Sequence, residues 1–367
     1  MKVLHIINTL AVGGAERLLV DALPIMKSQG VDARVLMLFS SGGGFEKQLR
    51  EAGVEVEALG NSKNAYDLRI PMRLRSWLRD VDVVHAHLFP TQYWAALAHI
   101  GNRRSVLVTT EHSTSNTRAQ HWLTSKIDKC FYSQYDGIIC ISQATANALR
   151  PRVPKKVDLR VIENGVVLPH TGTDVLPPER ESVVDGLPAD AFVALQVARF
   201  SDQKNQDCVI RALKLLPPDV HVLFAGYGNR EAACRLLAER EGVADRAHFL
   251  GMREDIARLW SIADIGIMSS HWEGFGLAAV EGMAYSKPVL ASDVPGLADV
   301  VGDKRLLFTP DDERMLAEKV MSLRDDKDLR SQLGEECLQQ AHKFDINTMV
   351  ARYVKFYEEL LQKNVGQ

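Results

Sequence analysis

The sequence predicts an α/β protein built from two doubly wound, mostly parallel sheets. Three observations predict it. Short runs rich in Val, Ile and Leu alternate with stretches of helical spacing. The alternation occurs twice, with a Pro-punctuated break between the two series. At 367 residues the chain also exceeds one ordinary core, so two domains are expected.

The first series opens with a strand over Lys2–Asn8. Gly13-Gly14 follow, and then Ala15, Leu18, Leu19, Ala22, Leu23 and Met26 recur at helical spacing. Further strands are expected at Arg34–Phe39, Val54–Leu59, Val81–His87, Ser105–Thr110, Gly137–Ser142 and Leu159–Glu163. Most intervening segments are long enough for crossover helices, which implies a parallel sheet. Val167–Pro188 holds Pro169, Pro177, Pro178, Gly186 and Pro188 without a sustained period, and reads as a linker. The second series gives strands at Phe192–Val197, His221–Ala225, His248–Leu250, Ile265–Met268 and Pro288–Ala291. From Asp312 onward the pattern is helical.

Composition is that of a globular chain: 46% hydrophobic and 25% charged residues. No apolar run approaches the ~18 residues of a membrane span, and Met1–Asn8 reads as a strand and not as a signal peptide. Five scattered cysteines without CxxC spacing point to a reducing, cytoplasmic setting and away from structural zinc. The net charge is −3, but residues 1–165 carry 21 basic against 15 acidic residues. That first-half excess suits an anionic acceptor or membrane surface. Arg69, Arg73, Arg75 and Arg79 lie among Leu68, Ile70, Met72, Leu74, Trp77 and Leu78, and Pro71 sets a helix start near Ile70. A solvated helix face is the plainer reading of this stretch. Peripheral contact with anionic headgroups is the alternative. No stacking platform accompanies it, so nucleic acid is not expected.

The densest signal lies at Ser269–Tyr285. Glu273 and Glu281 stand eight positions apart, separated by Gly274-Phe275-Gly276 and a run of helix formers. One carboxylate can then sit in a loop and the other on the following helix, with backbone N–H groups between them. Such an entrance suits phosphate or hydroxyl oxygens. Upstream, Arg199 and Lys204 follow a strand, and two cations there suit a diphosphate. Gly226-Tyr227-Gly228 ends the next strand, where a small loop can admit a base or ribose edge. Gly13-Gly14 lacks the spacing of a dinucleotide fingerprint. Each piece has a bland counterpart: a tight turn, two surface cations, an ordinary strand-end glycine.

In that order, the pieces resemble the retaining glycosyltransferases of family 4 (glycosyl transferases group 1), over essentially the whole chain. Asn164-Gly165-Val166 and Val294-Pro295-Gly296 resemble further family segments. The resemblance implies a GT-B fold: two Rossmann-like domains facing a deep cleft. It divides the chain into 1–165 (acceptor side), 166–189 (linker), 190–345 (nucleotide-sugar side) and 346–367, a helix packing back toward the first domain. It implies that Arg199 and Lys204 hold the diphosphate of a nucleotide sugar and that Gly14 approaches it. Glu281 would accept from the ribose hydroxyls, and Glu273 would lie at the donor sugar. The N–H groups of Phe275, Gly276 and Leu277 would contact sugar or phosphate. Gly226 and Gly228 would border the nucleotide, and Met252 would read the base through its backbone. His112 is expected to face the donor sugar. His85 and His87 share one side of a strand; a metal pair is conceivable there, and structural or acceptor-side roles are favoured.

The expected function is metal-independent, cofactor-free retaining transfer of a hexosyl or N-acetylhexosaminyl unit to an acceptor hydroxyl. A UDP-sugar is the first donor to test, then GDP. The expected acceptor is a sugar or lipid-linked saccharide of surface polysaccharide or glycolipid synthesis, shaped by loops such as Ser40–Gly44 and His112–His121. A nucleotide-sugar epimerase on the same fold and a non-enzymatic sugar-binding protein are the alternatives.

Overall fold

The computed structural model describes residues 1–11, 13–60, 64–102, 104–114, 122–169 and 178–365. The chain divides into two compact units, Met1–Val166 with Asp345–Gln367, and Val167–Phe344. Much of the expected acceptor loop (115–121) and of the expected linker (170–177) lies outside the described residues.

In the first unit seven strands form one parallel sheet: β1 (Lys2–Ile7), β2 (Asp32–Met37), β3 (Glu55–Ala58), β4 (Val83–His87), β5 (Val106–Glu111), β6 (Gly137–Cys140) and β7 (Asp158–Val161). Their order is β3-β2-β1-β4-β5-β6-β7. The strand order therefore reverses between β1 and β4. All of these strands are Val-, Ile- or Leu-bearing segments, and β4 is buried along its whole length, as parallel strands covered on both faces must be.

The second unit repeats the plan with β8 (Phe192–Val197), β9 (Val220–Ala225), β10 (Ala247–Phe249), β11 (Ile265–Met268), β12 (Val289–Ser292) and β13 (Leu307–Phe308). The order is β10-β9-β8-β11-β12-β13, again parallel, with its reversal between β8 and β11. Two expectations need correction. The two-residue β13 was not anticipated, because two apolar residues carry no periodicity. The second half of the expected linker is built into this unit instead. It forms a short helix, Arg180–Val183, and Arg180 donates to Asp264 at 2.8 Å.

A buried tryptophan fixes the helix that follows β11. The Trp260 ring lies where a Cβ on Gly266 of β11 or on Gly282 of the helix Leu277–Ala284 would meet it, at 3.0 and 2.6 Å. Glycine on both sides admits the ring and holds that helix close to its strand.

The chain returns to the first unit at Asp345. Ile346 donates its N–H to the Val166 carbonyl at 3.0 Å. The helix Ile346–Val365 then packs on this unit through Tyr353, Phe356, Tyr357 and Leu360, all buried. Gly165 has no room for a side chain: a Cβ there would lie 2.5 Å from Ile346 Cα.

Tyr357 also reaches a polar core beneath β1, β4 and β5. His5 pairs in register with His85, and His85 and His87 share one face of β4. His85 Nδ1 lies 2.6 Å from the Tyr357 hydroxyl and its Nε2 2.8 Å from Thr110 Oγ1. His5 Nδ1 lies 3.0 Å from His87 Nε2. The rings of His87 and His112 are 5.8 Å apart. Desolvation disfavours the charged form of every one of them. It lowers the His5 pKa to about 3 and that of His112 to about 4, and it holds His85 and His87 well below the ordinary value.

Two predictions follow from this packing. Gly165→Ala forces main chain apart and should lower unfolding stability by roughly 2 kcal/mol in chemical denaturation; an unchanged midpoint would refute the close approach. The histidines should also make the chain acid-labile. Their folded pKa values lie below 6.5, so the unfolded chain binds more protons between that value and about pH 4. Stability is therefore complete above pH 6.5 and falls on acidification, with a slope of up to ~1.4 kcal/mol per pH unit per histidine. Thermal melts across that window should be steeper for the wild type than for His5→Gln.

Candidate functional site

In an open parallel sheet the place for a ligand is the carboxyl edge at the point where strand order reverses. In the second unit that point lies between β8 and β11, and the sequence-predicted residues collect there. The loop after β8 runs from Ala198 to Asn205. Its far end is tied to the loop after β11. Gln196 Nε2 donates to the Lys204 carbonyl at 3.2 Å and to Ser269 Oγ at 3.0 Å. Ser269 Oγ lies 2.9 Å from the carbonyls of both Lys204 and Asn205. His271 donates its backbone N–H to the Gln203 carbonyl at 2.8 Å, and Gln203 Nε2 donates to the Trp272 carbonyl at 2.9 Å.

This lacing brings together the two charges the sequence left far apart. Lys204 Nζ donates to Glu273 Oε2 in a half-buried ion pair. The same carboxylate accepts from Ser270 Oγ at 3.4 Å and, through Oε1, from the Gly274 N–H at 3.2 Å. Arg199 lies at the near end of the loop with its side chain exposed. Its carbonyl accepts from Gln206 Nε2 at 3.2 Å.

After Glu273 the chain turns sharply into the helix Leu277–Ala284. Gly276 takes φ of 96°, in the left-handed region that favours glycine, and no side chain caps the helix. The first N–H groups of a helix have no intrahelical acceptors. At the Leu277 end the Ala279 N–H turns back to the Gly276 carbonyl at 2.9 Å, and the Leu277 and Ala278 N–H groups, with no backbone acceptor among the described residues, form the donor set beside the Lys204–Glu273 pair. Phe275 is buried and packs edge-on against Phe344, with ring centres 5.2 Å apart. Of the expected Phe275, Gly276 and Leu277 contacts, only main-chain atoms are thus available from Phe275. Glu281 is half-buried on the second turn of the helix.

Glycines let three more loops share this edge. A Cβ on Gly226 would lie 2.0 Å from the Ala198 carbonyl oxygen, and one on Gly228 2.1 Å from that of Phe200. Their first requirement is main-chain clearance beneath the Arg199 loop. Gly296, at φ 86°, passes within 2.7 Å (Cβ position) of the Glu273 carbonyl oxygen, which seats the Val294-Pro295-Gly296 loop against the Glu273-Gly274 backbone. Gly226 donates its N–H to the Gly251 carbonyl at 2.8 Å, and Met252, just beyond, is 57% exposed.

In the first unit, Gly14 opens the helix Gly14–Ser28, whose N-cap, Gly13, provides no side-chain cap. His112 follows β5. It is half-buried, but its Nε2 is out of solvent with no hydrogen-bond partner among the described residues. His87 Nδ1 and His5 Nε2 are also buried without partners there. Nitrogens of His5, His85 and His87 lie within 4.8 Å of one another, the donor type of a zinc site. Both nitrogens of His85 are already engaged by hydroxyls.

Sequence reasoning missed His5, Gln196, Ser269 and the His271–Asp311 contact of 2.9 Å. The signal for His5 was its place on β1, one strand from His85. Gln196, one residue before the end of an apolar strand, was a visible polar exception.

Comparison with known proteins places these features in a family. The sequence profile of Glycosyl transferases group 1 matches residues 179–340, and that of Glycosyltransferase Family 4 matches residues 12–168. The lipopolysaccharide core biosynthesis glycosyltransferase LpsD of Rhizobium meliloti is 25% identical over 371 residues, covering 99% of this chain and 100% of its own. The N-acetyl-alpha-D-glucosaminyl L-malate synthase of Bacillus anthracis is 24% identical over 309 residues, 81% of this chain and 80% of its own. Among solved structures, Anabaena HepE in complex with UDP and glucose has a TM-score of 0.86 at 23% identity, covering 98% of this chain and 99% of that one. With two parallel-sheet Rossmann-like units, each matched by its own profile, the chain belongs to the group 1 glycosyltransferases of GT-B fold.

Proposed function

We propose that the chain transfers a hexosyl or N-acetylhexosaminyl unit from a UDP-sugar to an acceptor hydroxyl, with retention at the anomeric carbon. The observation that carries this reading is the Lys204–Glu273 pair beside the uncapped start of the helix Leu277–Ala284, at the reversal point of the second sheet. A cation, a carboxylate and helix N–H groups within one loop pair match a sugar joined to a diphosphate. UDP is favoured because Anabaena HepE, of the same fold, holds it. The name of LpsD favours a surface glycan as product, and the basic first half of the chain favours a lipid-linked acceptor.

In this reading Lys204 and Arg199 stabilise the departing diphosphate, so charge neutralisation needs no divalent ion. The bond from the anomeric carbon to the phosphate oxygen breaks as the acceptor oxygen bonds on the same face. The acceptor proton passes to the departing diphosphate. Glu273 holds the sugar and orients Lys204, and Glu281 accepts from the ribose hydroxyls. In the first unit, Gly14 and His112 are assigned to substrate contact. His112, kept neutral at its pKa of about 4, would act as a hydrogen-bonding imidazole and not as a cation.

The test is calorimetry of UDP and UDP-sugars, followed by mass spectrometry of products with lipid-linked acceptors. Lys204→Ala and Arg199→Ala should each lower kcat/KM by roughly 10²–10³-fold with the chain still folded, and only Lys204→Ala, which strips Glu273 of its counter-charge, should lower the melting temperature. Unchanged turnover in both would remove the diphosphate assignment. Glu281→Gln should weaken UDP binding by about tenfold, and equal affinity would remove the ribose role.

A further inference from the structure

The first unit carries a surface that its core does not explain. Between Asn64 and Arg79 the chain forms one short helix, Ile70–Leu74, continued by turns. Ile70, Leu74 and Leu78 are buried and anchor it. Trp94 Nε1 donates to the Ala65 carbonyl at 2.7 Å and ties down its start. The remaining large apolar side chains face outward. Leu68 is 80% exposed, Met72 77%, Tyr66 62% and Trp77 36%. The Tyr66 ring lies 6.1 Å from that of Phe89, which is 37% exposed and two residues past the end of β4. The apolar surface is therefore continuous with the carboxyl edge of the first sheet, where such sheets bind ligands.

Its charge is one-sided. The segment holds Arg69, Arg73, Arg75 and Arg79 against a single acid, Asp67. Asp67 is already paired with Arg69 at 2.9 Å. Arg73 donates to the Leu59 carbonyl. Arg75 and Arg79 are exposed and make no ion pair among the described residues. Exposed Leu and Met, interfacial Tyr and Trp, and unpaired arginines together have the chemistry of a surface that lies on anionic headgroups. Among the described residues no helix is long and apolar enough to cross a membrane.

We infer that residues 66–79 dock the first unit on an anionic lipid surface, with Leu68 and Met72 inserted and Arg75 and Arg79 on headgroup phosphates. The inference rests on the proposed transfer to a lipid-linked acceptor, and it adds the surface by which that acceptor would be met. Continuity with Phe89 directs a headgroup-anchored saccharide toward the β4 edge. The occupant is identified by charge complementarity, since an apolar partner alone would not require the arginines.

The experiment is co-sedimentation of the full chain with phosphatidylcholine vesicles, with and without phosphatidylglycerol. The chain should sediment only with the anionic vesicles and be released by salt. Leu68→Ser with Met72→Ser should reduce partitioning by at least about tenfold, and Arg75→Gln with Arg79→Gln by roughly 20- to 30-fold. All four positions are exposed and none belongs to the second-unit site, so UDP affinity should be unchanged in both double variants. Equal binding to neutral vesicles, no binding, or undiminished binding by both variants overturns the inference. So does self-association in sedimentation velocity that these variants abolish, because the occupant would then be a second copy. Loss of UDP binding in the wild type would instead overturn the proposed function and leave the vesicle result to be read separately.

Discussion

Main chain passing against main chain is the constraint on which the second unit's site depends. The loops after β8, β9 and β11 and the loop holding Gly296 all reach one sheet edge, and side chains on all of them would not fit. Gly226 and Gly228 remove the Cβ atoms that would strike the Ala198 and Phe200 carbonyls. Gly296 does the same against Glu273. The clearance has an electrostatic consequence. With the backbones this close, side-chain amides and hydroxyls such as Gln196 and Ser269 can satisfy carbonyls of the Lys204 loop directly. Buried carbonyls left without donors would cost about 1–3 kcal/mol each. The glycines thus seat the neighbouring loops, and Gln196 and Ser269 hold the backbone from which Lys204 projects.

The Lys204–Glu273 pair is poised between structure and chemistry. A half-buried ion pair stabilises modestly, because desolvation offsets much of the attraction. Removing either partner is more serious, since the survivor remains half-buried without its counter-charge. Glu273 is also held by Ser270 and the Gly274 N–H, so the carboxylate stays fixed if the lysine moves. Lys204 has no comparable second anchor at its ammonium among the described residues. In a site for a sugar diphosphate that asymmetry is useful: the flexible cation can shift toward phosphate while the acceptor for sugar hydroxyls remains in place.

Much of this was legible in the sequence where a local pattern carried it. The strands Phe192–Val197 and Ile265–Met268 are found with those same bounds, because apolar runs bounded by turn residues define parallel strands. The Gly-Phe-Gly turn before Leu277 was visible because a left-handed residue at a helix entrance favours glycine. What was not legible depended on register and distance. His5 joins His85 only through the β1–β4 pairing, which no local period encodes. Lys204 and Glu273 are 69 positions apart, and their contact follows from β8 and β11 being neighbours in the sheet. Residues 178–188 looked like linker because prolines hide the short helix between them, and Arg180's contact with Asp264 lies beyond any local window. The Arg69–Arg79 stretch read as an ordinary solvated helix face. Only its burial pattern separates the anchoring Ile70, Leu74 and Leu78 from the exposed Leu68 and Met72.

The two units differ in how they handle polarity, and the difference bears on mechanism. The second unit keeps its site charged and half-buried. The first places four imidazoles close together and keeps them neutral, since burial makes imidazolium unfavourable and each positive ring would further oppose its neighbours. A histidine with a pKa near 4 is a poor general acid at neutral pH, because almost none of it carries the extra proton. The proton released by an acceptor hydroxyl therefore needs another destination. In the proposed reaction that destination is the departing diphosphate, whose basicity rises as the glycosidic bond breaks. A neutral His112 can still hydrogen-bond a sugar hydroxyl through whichever nitrogen carries its single proton. Its effect would then be felt in positioning, and activity should not track the ionisation of an ordinary histidine near pH 6.5.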